Sequence, residues 1–283
     1  MSTIRGVVVA VTGAGSGIGR ALALELAARG ARLALSDVDP AGLAATIEQV
    51  EARGSEALGT RLDVSDRAAV LAWAQTVTGH FGVVHQLYNN AGVSGGGQTV
   101  LEADWEHLDR TLAINLGGVI NGTKAFLPHL IASGAGHLVN VSSLNGYLAQ
   151  PTLGAYSASK FAVRGFTEVV RTEMLVGGHP VQVSVVHPGG VATNIASATL
   201  AHARGQGIEP TAAQLARERV YTEKLLRLPA ATAARIIADG VEAGKPRIRV
   251  GKDAVLVDRL TRLLPASYPR LVARFEERRF PQG

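Results

Sequence analysis

Apolar runs of strand length recur along the chain at 7–11, 32–36, 57–62, 85–88, 137–141, 181–186 and 247–250. Between them, apolar positions return at helical spacing across 20–28, 41–53, 68–79, 105–131, 155–176 and 230–242. Largely apolar strands separated by such helices predict an α/β fold: a doubly wound (Rossmann) parallel sheet of about seven strands with helices on both faces. No repeat and no low-complexity linker interrupts this rhythm, so residues 1–251 are expected to form one domain. Two segments depart from it. Residues 192–228 form a long, alanine-rich insertion after the sixth strand, and residues 252–283 read as an appended amphipathic helical extension with a break near Pro265.

Composition narrows the functional classes. The chain has 283 residues, 47% of them apolar, and no cysteine, which removes a disulfide framework and a thiolate zinc site. No metal is expected. The amino terminus reaches glycine too soon for a secretory signal. Residues 125–159 carry no Asp, Glu, Lys or Arg, yet Pro128, His129, Asn140, Asn145, Gln150 and Pro151 interrupt them, so no transmembrane helix is expected. The cytoplasm is the expected location. The formal charge of +5 is concentrated after Gly251, without a basic stripe interleaved with aromatics, so nucleic acid is not an expected partner.

Candidate chemistry begins at "VVVAVTGAGSGIGR", a strand, a glycine-rich turn and a helix start. Gly13, Gly17 and Gly19, with Gly15 between them, let backbone approach a pyrophosphate at a helix amino terminus. The second strand ends "LALSDVD". Asp37 falls where a carboxylate would bind the adenosine ribose hydroxyls and repel a 2′-phosphate. Neither Ser16 nor Val38 supplies a cation for such a phosphate, so NAD is favoured over NADP. Asp63 and Val64 end the third strand, where a side chain would meet adenine, and "NNAG" (89–92) ends the fourth.

The fifth strand finishes "VNVSS", placing Ser143 13 residues before Tyr156 in "AYSASK". Strand alternation turns Ser142 to the opposite side. Tyr156 and Lys160 stand one helical turn apart and share a face. A free phenol has a pKa of about 10; a neighbouring ammonium that brought it to about 7 would contribute about 4 kcal/mol. Tyr156 is thereby the candidate general acid/base.

Taken together, TGxxxGxG, NNAG, Asn115 in "LAINLGG", Ser143, Tyr156-x-x-x-Lys160 and "HPGGVAT" (187–193) resemble the classical short-chain dehydrogenase/reductase family over roughly residues 5–251. The resemblance implies hydride transfer between a nicotinamide and a substrate carbon. It implies that Lys160 also binds the nicotinamide ribose, that Ser143 holds the substrate oxygen, and that Asn115 keeps a water in a proton relay to Lys160. Cofactor contacts are implied at Gly13, Gly15, Ser16, Gly17, Ile18 and Gly19. Others are implied at Asp37, Asp63, Val64, Asn90, Ala91 and Gly92, and at Pro188, Gly189, Val191 and Thr193, beside Tyr156 and Lys160. His187 is left out, because the family chemistry requires no histidine there. Tyr221 and Lys224 share a face too, but no serine-bearing strand precedes them, and they are assigned to the insertion.

The segments carrying Ser143 and the loop after the sixth strand have no charge, so the pocket is expected to be dry and mostly apolar. That points to a neutral secondary alcohol or its ketone, with Ser143, Leu144, Asn145, Leu153, Tyr156 and Gly190 as candidate contacts. Residues 192–228 lie where the family carries a substrate lid. For the extension, the family habit of forming dimers or tetramers favours subunit packing over capping the pocket or lying on a membrane. Two other readings stay open: an NADP-preferring ketone reductase, and a catalytically silent nucleotide-binding sensor or scaffold.

Overall fold

All five residues of β1 (Val8–Thr12) are buried, because valine and alanine side chains on both sides of the strand meet helices. This computed structural model describes residues 3–95, 97–194, 204, 205, 207 and 209–279. Beside β1 run β2 (Arg32–Asp37), β3 (Ala57–Arg61), β4 (Gln86–Asn89), β5 (Gly136–Val141), β6 (Val181–Pro188) and, after two short strands, β9 (Arg247–Val250). They form one seven-stranded sheet, all pairs parallel, in the order β3-β2-β1-β4-β5-β6-β9. The strand order reverses between β1 and β4, and at that point the carboxyl ends of the strands open a crevice for ligands.

Two apolar cores flank the sheet. On one face α1 (Gly17–Ala28) and a later helix, Ala230–Glu242, bring Leu22, Leu26 and Ile237 against Val9 and Val11. On the other, α3 (Arg67–Phe81) and α5 (Gly118–Ala132) join α6 (Gly154–Val176), with Trp73 edge-on to Phe126 at 5.0 Å between ring centroids. Between α1 and α3, α2 (Pro40–Glu51) starts with proline at N1 behind an Asp39 cap. Residues 105–131 do not make the single helix that their spacing predicts. α4 (Trp105–Leu112) gives way to a wide π-helical turn, Ala113–Gly117, before α5. There Asn115 turns its amide to the main chain of Val93, and Gly118 presses so close to Val64 that a Cβ would stand 2.6 Å from Val64 Cγ2.

The ends of the insertion are joined by a small parallel pair, β7 (Val191–Ala192) with β8 (Leu228–Pro229). Inside it, α7 (Ala212–Val220) starts with a Thr211–Gln214 capping box and runs into a second wide turn, Tyr221–Leu225. Of the expected lid, residues 195–203, 206 and 208 lie outside the described residues. With Ala230–Glu242 as α8, the extension forms α9 (Lys252–Leu263) and α10 (Tyr268–Arg279). These fold back on their own chain. α9 packs on β9 and on residues 144–146, and Glu276 of α10 pairs with Arg217 of α7 at 2.7 Å. No described helix is long and apolar enough to cross a membrane.

Candidate active site

The glycine turn is built by close packing. Gly13 adopts φ +67°, and a Cβ there would stand 2.8 Å from Ala91 Cα; at Gly19 a Cβ would overlap the Gly13 carbonyl. Asn90 secures the turn, its amide donating to the carbonyls of Thr12 (3.0 Å) and Gly13 (3.2 Å). The N–H groups of Asn90 and Ala91 both donate to the Thr12 hydroxyl. Ser16 is the N-cap of α1, but its side chain makes no capping bond and the first turn has no acid. The amino-terminal N–H groups around Gly17, Ile18 and Gly19 are therefore available to an anion, with Thr193 beside Gly17.

At the end of β2, Asp37 accepts from the Gly15 N–H at 2.7 Å and from the Asp39 N–H at 2.9 Å. Its carboxylate thus stands at the glycine loop, as the sequence leads one to expect. Asp39 caps α2 instead. Asp63 is exposed and accepts from Ser65, while the buried Val64 offers its carbonyl to Asn121. Across the crevice, Pro188 ends β6 and Gly189 and Gly190 follow it, and Asp253 of α9 accepts from the Gly190 N–H at 2.6 Å. An uncapped helix end, a tightly packed glycine turn and an acid at the second strand fit a dinucleotide.

The chemical end gathers the predicted set in one place. Ser143 follows β5 and caps the short turn Leu144–Gly146, accepting from Asn145 N–H at 3.1 Å. Leu153 is the residue before α6, and its neighbourhood is pinned to the β4 loop by a bridge to Gln98. On α6, Lys160 is buried, donates Nζ to the Val141 carbonyl at 3.0 Å and stands 5.7 Å from the Tyr156 ring centroid. Asn115 Oδ1 accepts from Val93 N–H at 2.8 Å and Nδ2 donates to Ser159 Oγ at 3.3 Å, tying the β4 loop to α6. Gly92 lies between these groups: a Cβ there would come within 3.0 Å of Asn115 Oδ1 and 3.5 Å of Lys160 Nζ. Ser142 turns away and donates to the Lys160 carbonyl.

Electrostatics correct one expectation. Burial pulls the Lys160 ammonium down to about 8, yet the Tyr156 phenol moves up from its ordinary value. Burial dominates there, a hydrogen bond with Ser143 opposes it, and the Tyr221 phenol adds to the rise. Burial sets the direction at Tyr156, and the Lys160 ammonium, which donates to the Val141 carbonyl, is not among the groups that lower the phenol.

Two residues that the sequence reading set aside lie beside the site. His187 is buried, and its Nδ1 stands 2.8 Å from the Ser143 carbonyl while its ring stacks on Tyr147 at 4.0 Å. Burial holds its pKa down at about 4, so it is a neutral donor that positions Ser143. A histidine closing a run of valines was the available signal. The other is Tyr221, whose hydroxyl lies 3.5 Å from Gln150 Nε2.

Comparison with known proteins agrees with this geometry. The short chain dehydrogenase family model matches residues 7–204. The chain belongs to the short-chain dehydrogenase/reductase family. It is 49% identical to the oxidoreductase SadH of Mycobacterium tuberculosis over 282 residues, 99% of each chain. A family member from Burkholderia phymatum, solved in complex with NAD, superposes with a TM-score of 0.86 at 34% identity, covering 94% of this chain and 96% of the other. Levodione reductase superposes at 0.76 with 30% identity, covering 91% and 99%. The protein is therefore a short-chain oxidoreductase with a Rossmann fold for a nicotinamide cofactor.

Proposed function

We propose that the protein catalyses NAD(H)-dependent hydride transfer between the nicotinamide and a neutral, largely apolar secondary alcohol or ketone. The observation that carries this reading is the pairing of half-buried Tyr156 with buried Lys160 on one helix face beside Ser143. The dinucleotide supplies or takes up the hydride. Ser143 holds the substrate oxygen by its hydroxyl, and Tyr156 gives its phenolic proton to that oxygen in reduction and recovers it in oxidation. Lys160, with a pKa of about 8, is about nine-tenths ammonium at pH 7 and offsets the charge left on Tyr156. One of its three donors is spent on Val141, which leaves others for a ribose hydroxyl. Asn115 shapes the wide turn and supports a water relay to Lys160.

NAD rather than NADP is supported by the Asp37 carboxylate at the glycine loop. Arg20 is a nearby cation, but its guanidinium donates to the Gly15 and Gly42 carbonyls and to Thr46. Exposed Val100, Leu101 and Trp105 beside α4, and Phe161 and Val169 on α6, support a homodimer or homotetramer, which light scattering would test. The deciding assay follows NADH and NADPH fluorescence across neutral ketones and secondary alcohols of graded size. Turnover of neutral ketones with NADH is expected; a strong preference for acidic ketones would overturn the reading.

A further inference from the structure

Tyr221 occupies a position that the proposed chemistry does not use. It begins the wide turn after α7, is half-buried, and meets Gln150 through a long contact in which the amide Nε2 donates to the phenol oxygen at 3.5 Å. The orientation of that amide is held: Gln150 Oε1 accepts from Asn145 Nδ2 at 3.0 Å, and Asn145 in turn donates its N–H to Ser143 Oγ. Arg217 stands over the Tyr221 ring at 5.9 Å, and its positive charge opposes the burial that raises the phenol. Glu276 of α10, itself buried, fixes Arg217 at 2.7 Å. Both polar groups at the phenol, the Gln150 amide nitrogen and the Arg217 guanidinium, are donors with no lone pair to offer. The Tyr221 hydrogen therefore has no acceptor in these contacts, although the polar chain that holds the ring leads through Gln150 and Asn145 to Ser143.

We propose that Tyr221 is a substrate-recognition residue whose O–H donates to a second oxygen of the substrate. The preferred substrates then carry another carbonyl or hydroxyl group in addition to the reacting one. This rests on the function proposed above and makes its substrate class more specific. In the mostly apolar pocket that the sequence predicts, such a molecule is favoured only if its second oxygen is paired; an unpaired oxygen would be desolvated at a loss. The extension contributes through Glu276, which holds Arg217 and so the ring.

The test compares cyclohexanone with the cyclohexanediones and hydroxycyclohexanones, using NADH and the full-length chain, before and after Tyr221→Phe. The variant keeps the ring and loses only the hydroxyl. It should bind NADH unchanged by fluorescence, keep its kcat/KM on cyclohexanone, and lose about tenfold on the best two-oxygen substrate, chiefly through KM. Gln150→Met, which removes the amide between the phenol and Asn145, should lose in the same direction by a smaller factor. Equal losses on both substrate types, or no loss on either, would overturn the inference and leave the proposed function standing. A parent protein that reduced no member of the panel would overturn both.

Discussion

Replacing Lys160 by methionine should make the cofactor-free protein more stable and much less active. Lys160 is 4% exposed, and burial brings its pKa from 10.5 to about 8. That difference corresponds to about 3 kcal/mol of destabilisation from burying the charged form at pH 7. Methionine has similar volume and no charge, but it leaves the Val141 carbonyl without its donor, which costs about 1–2 kcal/mol. The net gain at pH 7 is about 1–2 kcal/mol. At about 2–4 °C per kcal/mol for chains of 150–250 residues, the thermal midpoint should rise by several degrees. The sign reverses with pH. Between about 8 and 10.5 the unfolded chain holds a proton that the folded chain has released, so the parent gains stability as pH rises across this window. By pH 10.5 the variant should have lost its advantage and be the weaker of the two. Calorimetry at both pH values and one protomer concentration measures this. A parent at least as stable as Lys160→Met at pH 7, or a gap that does not change with pH, would refute the reasoning. Activity should fall by about 100-fold or more, since the charge opposite Tyr156 is gone.

Other consequences are more local. Because burial moves the Tyr156 phenol upward, reduction should stay nearly constant through neutral pH while alcohol oxidation climbs with alkalinity; initial rates in both directions would show it, and parallel profiles would not fit. Asp37→Ser should raise kcat/KM with NADPH relative to NADH by roughly tenfold, about 1.4 kcal/mol, measured with one ketone and both cofactors. His137 and His187 are each held near 4 by burial, so between 6.5 and about 4 the unfolded chain binds protons that the folded chain refuses. Stability should fall by up to about 3 kcal/mol for each as the pH drops through that window. His187→Asn should flatten the acid limb of the thermal midpoint, and parallel limbs for parent and variant would exclude this role.

The sheet was legible because its inner strands are apolar on both sides and its turns carry glycine, while the edge strands β3 and β9 are only partly buried. Gly13, Asp37, Ser143, Tyr156 and Lys160 follow from that register, since each sits at a strand end or one helical turn along. Asn115 was legible as a residue but not as a wide turn, which depends on Val64 pressing against Gly118 and on Val93 capturing the amide. The upward move of Tyr156 was hidden for a related reason: helical spacing shows that Lys160 shares its face, but not that burial of the phenol dominates. Tyr221 and the extension were the least legible. Arg217 and Glu276 are 59 residues apart, and no local pattern announces that they meet.

The central claim is that Tyr156 exchanges the substrate proton beside a bound dinucleotide. Its most direct measurement is single-turnover hydride transfer in Tyr156→Phe protein saturated with NADH. The account predicts unchanged NADH binding and a transfer rate reduced by about 100- to 10,000-fold; transfer as fast as in the parent would contradict it.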